Sequence, residues 1–227
     1  MLVRGILTTM SGSLGGITAA RNKGGQYLRA RVVPVNPQTP QQVTLRTIFA
    51  ALAVHWGTTL TAAQRTAWDT YAENVTVVNR IGETVNLTGF QMFIRSNTPR
   101  LQAGEARVDD GPTVFNLGGF TDVSIAIVGG TSDVAVTFDN TDEWANETGA
   151  SMIILTSREK AESIEFFKGP YRLAGTIDGD DSVAPVSPAT VGSDFSYAAG
   201  NKGFAQVRVS RLDGRLSVPQ RVFALAS

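Results

Sequence analysis

The sequence predicts an α+β, multi-part chain: an extended basic N-terminal arm, a small helical module carrying a β-hairpin, and an all-β C-terminal sandwich. Three observations predict it. Residues 1–38 have no helical period and are punctuated by Gly and Pro. Residues 39–98 carry three Thr-x-x-Gln helix starts, with apolar residues at spacings of three and four. Beyond residue 117 the apolar period becomes two. The expected parts are therefore an arm over 1–38, a helical module over 39–98, a linker over 99–117 and a sandwich over 118–227.

The arm contains Ser11-Gly12-Ser13-Leu14-Gly15-Gly16 and, further on, Gly24-Gly25. Gln26 to Val33 reads as extended chain, and Pro34, Pro37 and Pro40 prevent a helix from starting before Pro40. Such a segment buries too little to fold on a core of its own. It is expected to be ordered by the surface it lies on, with Arg4, Leu14, Ile17, Arg21, Lys23, Tyr27, Arg29 and Arg31 as its partner contacts.

Charge sharpens that expectation. The 227 residues hold 20 basic and 20 acidic side chains, so the net charge is zero. Residues 1–68 contain Arg4, Arg21, Lys23, Arg29, Arg31, Arg46 and Arg65 and no acid before Asp69, a balance of +7. The remainder holds 13 basic and 20 acidic residues, a balance of −7. A basic arm on an acidic body points to docking on something negative. Nucleic acid and the acidic body of an identical neighbour are both candidates.

In the helical module, Thr39, Thr61 and Thr88 are each followed three residues later by Gln, and Pro40 suits a first helical position. The first helix, about 40–56, places Leu45, Ile48, Phe49, Leu52 and Trp56 on one stripe. The second, about 62–74, offers Trp68, Tyr71, Ala72 and Val75. The third, about 89–97, offers Phe90, Phe93 and Ile94, with Pro99 as its stop. Val75 to Leu87 reads as a hairpin turning near Gly82.

In the C-terminal part, Val123, Ile125 and Ile127 alternate, as do Val134, Val136 and Phe138. Met152 to Leu155 is a buried run, and Tyr171 to Ile177 follows. Two last strands flank Asp213-Gly214, expected as a two-residue turn. Roughly seven short strands in about 110 residues argue a sandwich of immunoglobulin or fibronectin III type.

Few residues suggest chemistry. There is no Cys, which excludes disulfides, thiol nucleophiles and thiolate zinc sites. His55 is the one histidine; beside Trp56 at a helix end it suits a structural role. Asp178-Gly179-Asp180-Asp181 lacks the alternating ligands and closing Glu of a calcium loop, and reads as a polar turn. Asp139, Asp142, Glu143 and Glu147 surround Trp144, an arrangement shared with carbohydrate-active sites, but a solvated loop anchored by one Trp is the stronger reading. The arm's glycines end in no Gly-Lys-Ser/Thr, so they make no phosphate loop. No catalytic, cofactor-binding or metal residue is expected, and no membrane span or secretory signal.

A pattern accumulates along 12–97: Gly15-Gly16-Ile17-Thr18, Arg21-Asn22-Lys23-Gly24-Gly25, Asn36-Pro37-Gln38-Thr39 with Gln42 and Arg46, Leu60 to Trp68, and Asn86 to Gln91. It resembles a loosely defined set of bacteriophage and prophage proteins carried near virion genes, and the C-terminal part is similar in pattern to the fibronectin III-like domains that phages attach to virion proteins. The resemblance implies a structural virion component, assembled in the bacterial host cytoplasm, with capsid, portal or tail subunits as partners and a homo-oligomeric state. A capsid decoration or cement protein, a neck or tail protein, and a non-virion protein binding nucleic acid or another partner are the alternatives.

Overall fold

The computed structural model describes residues 10–22, 25–79 and 81–227. The chain divides into two compact units, Met1–Pro40 and Gln41–Ser227. The described residues form three helices and several antiparallel sheets, an α+β composition.

The first unit holds a three-stranded meander: β1 (Gly12–Leu14), β2 (Ile17–Asn22) and β3 (Gly25–Ala30), in that order. Residues expected as one extended line therefore fold back on themselves. Glycine is the reason. Leu14 pairs with Ile17, so Gly15-Gly16 is a two-residue hairpin turn, and Gly15 takes φ +56°, which side-chain-bearing residues rarely adopt. The ladder continues past β3, where Arg31 N donates to Gly16 O at 2.8 Å.

The second unit begins within the first turn of α1 (Pro40–Thr58) and continues with α2 (Ala62–Asn74), the hairpin β4 (Thr76–Val78) and β5 (Thr84–Asn86), then α3 (Gly89–Ala103). The capping boxes at Thr61 and Thr88 both form; Thr61 N donates to Gln64 Oε1 at 3.0 Å and Gln64 N returns to Thr61 Oγ1 at 3.2 Å. Trp68, Tyr71, Met92 and Phe93 make the centre of this core, with Trp68 edge-on to Phe93 at 5.5 Å between ring centroids. From α1, Leu52 is buried while Ile48 and Trp56 pack partly against it. Leu45 and Phe49, expected on the same stripe, stay exposed because the inward line follows 48, 52 and 56 alone.

Two boundaries differ from expectation. α3 runs through Pro99 to a left-handed cap at Gly104 (φ +90°). Tertiary anchors outweigh the lost backbone bond: Arg100 and Asn97, flanking Pro99, are both buried and hydrogen-bonded to other segments. The segment after α3, expected as a linker, is fastened to the helices. Trp68 Nε1 donates to Asp109 O at 2.9 Å, Asn97 Nδ2 to Val108 O at 3.0 Å, and Tyr71 Oη to Asn116 O at 3.3 Å.

The rest of the unit is β6 (Ser124–Ile127), β7 (Asp133–Thr137), β8 (Ser151–Thr156), β9 (Arg172–Asp178), β10 (Ala189–Gly192), β11 (Lys202–Ser210) and β12 (Gln220–Leu225). One sheet has the order β10-β7-β6 and the other β12-β11-β8-β9. Alternate residues of both, such as Ile127, Val134, Val136, Met152, Ile154 and Val207, share one core with Trp144 and Tyr197. β10 escapes the sequence pattern because its four residues turn one large apolar side chain, Val191, inward. The turn at Asp213-Gly214 has three residues, not two: Arg211 N donates to Arg215 O at 2.9 Å across Leu212-Asp213-Gly214, with Gly214 left-handed at φ +89°.

Candidate assembly surface

The meander has two chemically different faces. Pairing Ile17 with Ala30, Ala19 with Leu28 and Leu14 with Ile17 puts these apolar residues on one side. Leu14, Ile17, Ala19 and Leu28 line, with Met10, a hollow of about 210 Å³. Among the described residues of this unit only Ala19 is buried; Leu14 is 83% exposed and Ile17 50%. The opposite side carries Ser13, Thr18, Tyr27 and Arg29, since Thr18 pairs with Arg29 and Ala20 with Tyr27. Ser13 Oγ and Thr18 Oγ1 meet on it at 2.9 Å. Arg31 continues this face by alternation, whereas Arg21 shares the apolar side at its far end.

The expected contact residues thus separate. Leu14 and Ile17 come together on the apolar face, Tyr27, Arg29 and Arg31 on the polar one. Arg4 and Lys23 lie outside the described residues. Leu28, expected as an apolar peg of the arm, joins the hollow, as do Met10 and Ala19, which are not among the expected contacts. The alternation Ile17-x-Ala19 and Leu28-x-Ala30 carries that signal, but it is legible only once the glycine pairs are recognised as turns.

The residues weighed for chemistry are already engaged. His55 Nε2 lies 3.1 Å from Asp109 Oδ1, and its ring stacks near Phe93, with centroids 6.4 Å apart. Asp109 also accepts from Arg107 Nε at 2.6 Å, and this hydrogen bond chiefly holds its pKa below the usual carboxylate value. The arrangement joins the end of α1 to the segment after α3. Among the described residues no hydroxyl bonds to His55. Fifty-four residues separate His55 from Asp109, which is why the sequence does not announce the pair.

The acids around Trp144 are likewise occupied. Glu143 accepts from Arg211 Nη1 at 2.9 Å, a bond that lowers its pKa, and Glu147 takes Arg211 Nε and the amide of Leu212. Asp142 accepts from Thr121 N at 2.8 Å and Oγ1 at 2.7 Å. Trp144 is fully buried against Phe138, so it presents no ring for a sugar. Asp180 and Asp181 bind Ser182 and Thr148, as a polar turn does. Among the described residues no group of three His, Cys, Asp or Glu is placed to hold a metal, and no helix is long and apolar enough to cross a membrane. No protein-family model, curated protein or solved structure matches this chain.

Proposed function

We propose that this chain is a structural protein of a bacteriophage virion, a capsid decoration or cement subunit that grips the particle through its N-terminal meander. The observation that carries the reading is the uncovered apolar face of that meander. Ordering each residue costs about 1–2 kcal/mol of backbone entropy, and a three-stranded sheet needs a covered hydrophobic face to be stable. Covering Leu14, Ile17 and Leu28 contributes about 1.5–3 kcal/mol for each side chain fully buried. A particle subunit that supplies the cover completes a fold that this chain leaves open.

Two further features support the reading. The first, second and fifth strands of the C-terminal part form one sheet and the third, fourth, sixth and seventh the other. That grouping supports a fibronectin III-like sandwich, as does buried Tyr197 between the fifth and sixth strands, whose Oη donates to Ser157 O at 2.9 Å. The engaged state of His55, Asp142, Glu143 and Glu147 favours a non-enzymatic role. In this reading the protein is assembled in the host cytoplasm, resides on the virion as a homo-oligomer, and contacts capsid, portal or tail subunits. Copy number per particle separates decoration from a place in the neck or tail.

The polar face favours a second reading. Tyr27, Arg29 and Arg31 side by side combine a stacking ring with phosphate-neutralising cations, the elements of single-stranded nucleic-acid binding. Particle assembly with a chain lacking residues 2–35 tests the first reading. The truncated chain keeps both cores of Gln41–Ser227 and is expected to fold but not to join particles; attachment at full occupancy would overturn the proposal.

A further inference from the structure

The body places its unpaired cations together. Among the described basic residues of 69–227, Arg107, Arg172, Lys202, Arg211 and Arg215 pair a carboxylate. Arg158 and Lys160 lie over the rings of Phe195 and Phe167, and Arg100 binds backbone carbonyls and Ser210. The four that remain are Arg95, Lys168, Arg208 and Arg221, and they converge on the outer face of the sheet β12-β11-β8-β9.

Sheet register and helix spacing bring them there. Gln206 and Arg208 project from β11 on one face, with Leu155 and Ile153 opposite them on β8 and Arg221 opposite Gln206 on β12. Ile153, Leu155, Gln206 and Arg208 floor a cleft of about 310 Å³. Pro99 and Gln102 of α3 form one wall, and Arg95 lies one turn before Pro99 on the same helix face. Lys168 and Tyr171 form the other wall. Lys168 also borders a neighbouring hollow with Arg221, so it links the two.

The arrangement is uncompensated. Burial lowers the pKa of both Arg95 and Arg208, and Arg208 is further opposed by the like charges of Arg95 and Arg221. Arg95 Nη1 is buried without a hydrogen-bond partner. Tyr71, the group that favours the Arg95 charge, has its pKa pushed by burial to about 12 and is neutral at pH 7. Arg208 finds one acceptor, the amide oxygen of Gln206 in the orientation that its donors require. Partly desolvated guanidinium groups with neighbouring cations and no acid destabilise a fold unless an anion is present.

We infer that this cleft binds a phosphate group, held by Arg208, Arg221 and Lys168 and carried on a small organic molecule. A carboxylate brings one charge and suits a single guanidinium fork. A phosphate ester brings about −1.5 to −2 at pH 7 and three acceptor oxygens, which matches converging cations better. The apolar floor of Ile153 and Leu155, with Pro99 beside it, has room for the organic portion. This inference is independent of the virion reading, because it uses no residue of the N-terminal unit.

Binding of inorganic phosphate and of phenyl phosphate to the full chain, at ionic strength matched with sodium chloride, tests it. Calorimetry or amide chemical shifts would read affinity, and the unfolding midpoint would report linkage. Both probes are expected to bind and to raise the midpoint above the chloride control. Arg208→Gln is expected to abolish both effects while leaving the midpoint in chloride unchanged or higher, since a repulsive charge is gone. Lys168→Gln and Arg221→Gln, at exposed positions that do not threaten folding, are expected to weaken each probe about tenfold. Tighter binding of phenyl phosphate assigns an organic phosphate; equal affinity overturns the organic portion and assigns the free ion. No binding above the chloride control, or binding that survives all three substitutions, overturns the site.

Discussion

Arg100 of α3 donates from Nη1 to the backbone oxygen of Arg211 at 2.9 Å, joining the helical core to the end of β11. The same guanidinium reaches Ser210 Oγ and Ala106 O, each at 2.9 Å. It is 2% exposed, and the contacts it makes are to neutral acceptors. Burial pulls its pKa down from the usual arginine value, while Glu105, Asp213 and Glu147 at longer range favour the charge.

Arg100→Leu is therefore expected to destabilise the second unit by about 3–5 kcal/mol, since it leaves several buried acceptors without a donor. Arg100→Lys is expected to lose most of the same amount, because an ammonium cannot span the fork. Urea unfolding followed by tryptophan fluorescence and by circular dichroism measures both. A loss under about 1 kcal/mol for Arg100→Leu, below the usual cost of orphaning one buried polar group, would mean that packing alone joins helices to sheets.

The Glu105 pKa is raised above its ordinary value, first by burial and next by the charge of Asp178, which also hydrogen-bonds to it. A carboxyl shifted upward favours folding when protonated. Its contribution is complete below about pH 4.3, the unfolded value, and is lost as pH rises through the folded pKa. At pH 7 Glu105→Gln is expected to gain a few tenths of a kcal/mol, a small figure because solvent screens the pair. The gain should vanish at about pH 4, near the ordinary carboxyl range. Stability curves of the two proteins against pH check the sign; a gain that grows on acidification would contradict it.

How far the sequence discloses this fold depends on whether the signal is local. Thr61 and Thr88 announce their helices because a capping box lies within four residues. The continuation of α3 past Pro99 is not announced, because the anchors of Arg100 are Ser210 and Arg211, 110 and 111 residues away. The meander was hidden for a different reason: Gly15-Gly16 reads equally as flexible chain and as a hairpin turn, and only strand pairing decides. At the candidate surface, Leu14 and Ile17 were legible as apolar pegs. Their separation from Arg29 was not, since the face of each residue depends on that pairing. The cationic cleft draws Arg95, Lys168, Arg208 and Arg221 from a helix, a loop and two strands, with no sequence spacing to mark it.

Gly179 offers a test of packing between the loops at one end of the sheets. A Cβ there would overlap the carbonyl oxygen of Trp144 and lie 2.8 Å from that of Glu147. Its own amide donates to Ala150 O at 2.9 Å, so the backbone has little freedom to retreat. Gly179→Ala is expected to cost about 1–3 kcal/mol, the range for overpacking in a rigid site. A thermal midpoint within about 1 °C of the parent, well inside the shift that such a cost brings, would show that the Trp144 loop yields.

The two faces of the meander make opposite predictions about attachment. If the apolar face docks, Leu14→Asp with Ile17→Asp should abolish particle binding, because two charges would enter the contact. Arg29→Glu with Arg31→Glu should weaken it by a few kcal/mol at most, in line with charge pairs at a partly buried rim. Salt separates the cases further. The Debye length falls from about 10 Å at 0.1 M to about 3 Å at 1 M, so a contact made by exposed charges fades, whereas one anchored by Leu14, Ile17 and Leu28 does not. Attachment is expected to survive about 1 M salt. A nucleic-acid contact through Tyr27, Arg29 and Arg31 behaves otherwise: each neutralised phosphate releases counterions, and affinity falls log-linearly with salt. Particle-bound fraction measured against salt for the parent and both double variants decides the matter. Release between about 0.05 and 0.2 M salt, with binding of naked nucleic acid over the same range and loss of both in the arginine variant, would transfer the function to the polar face.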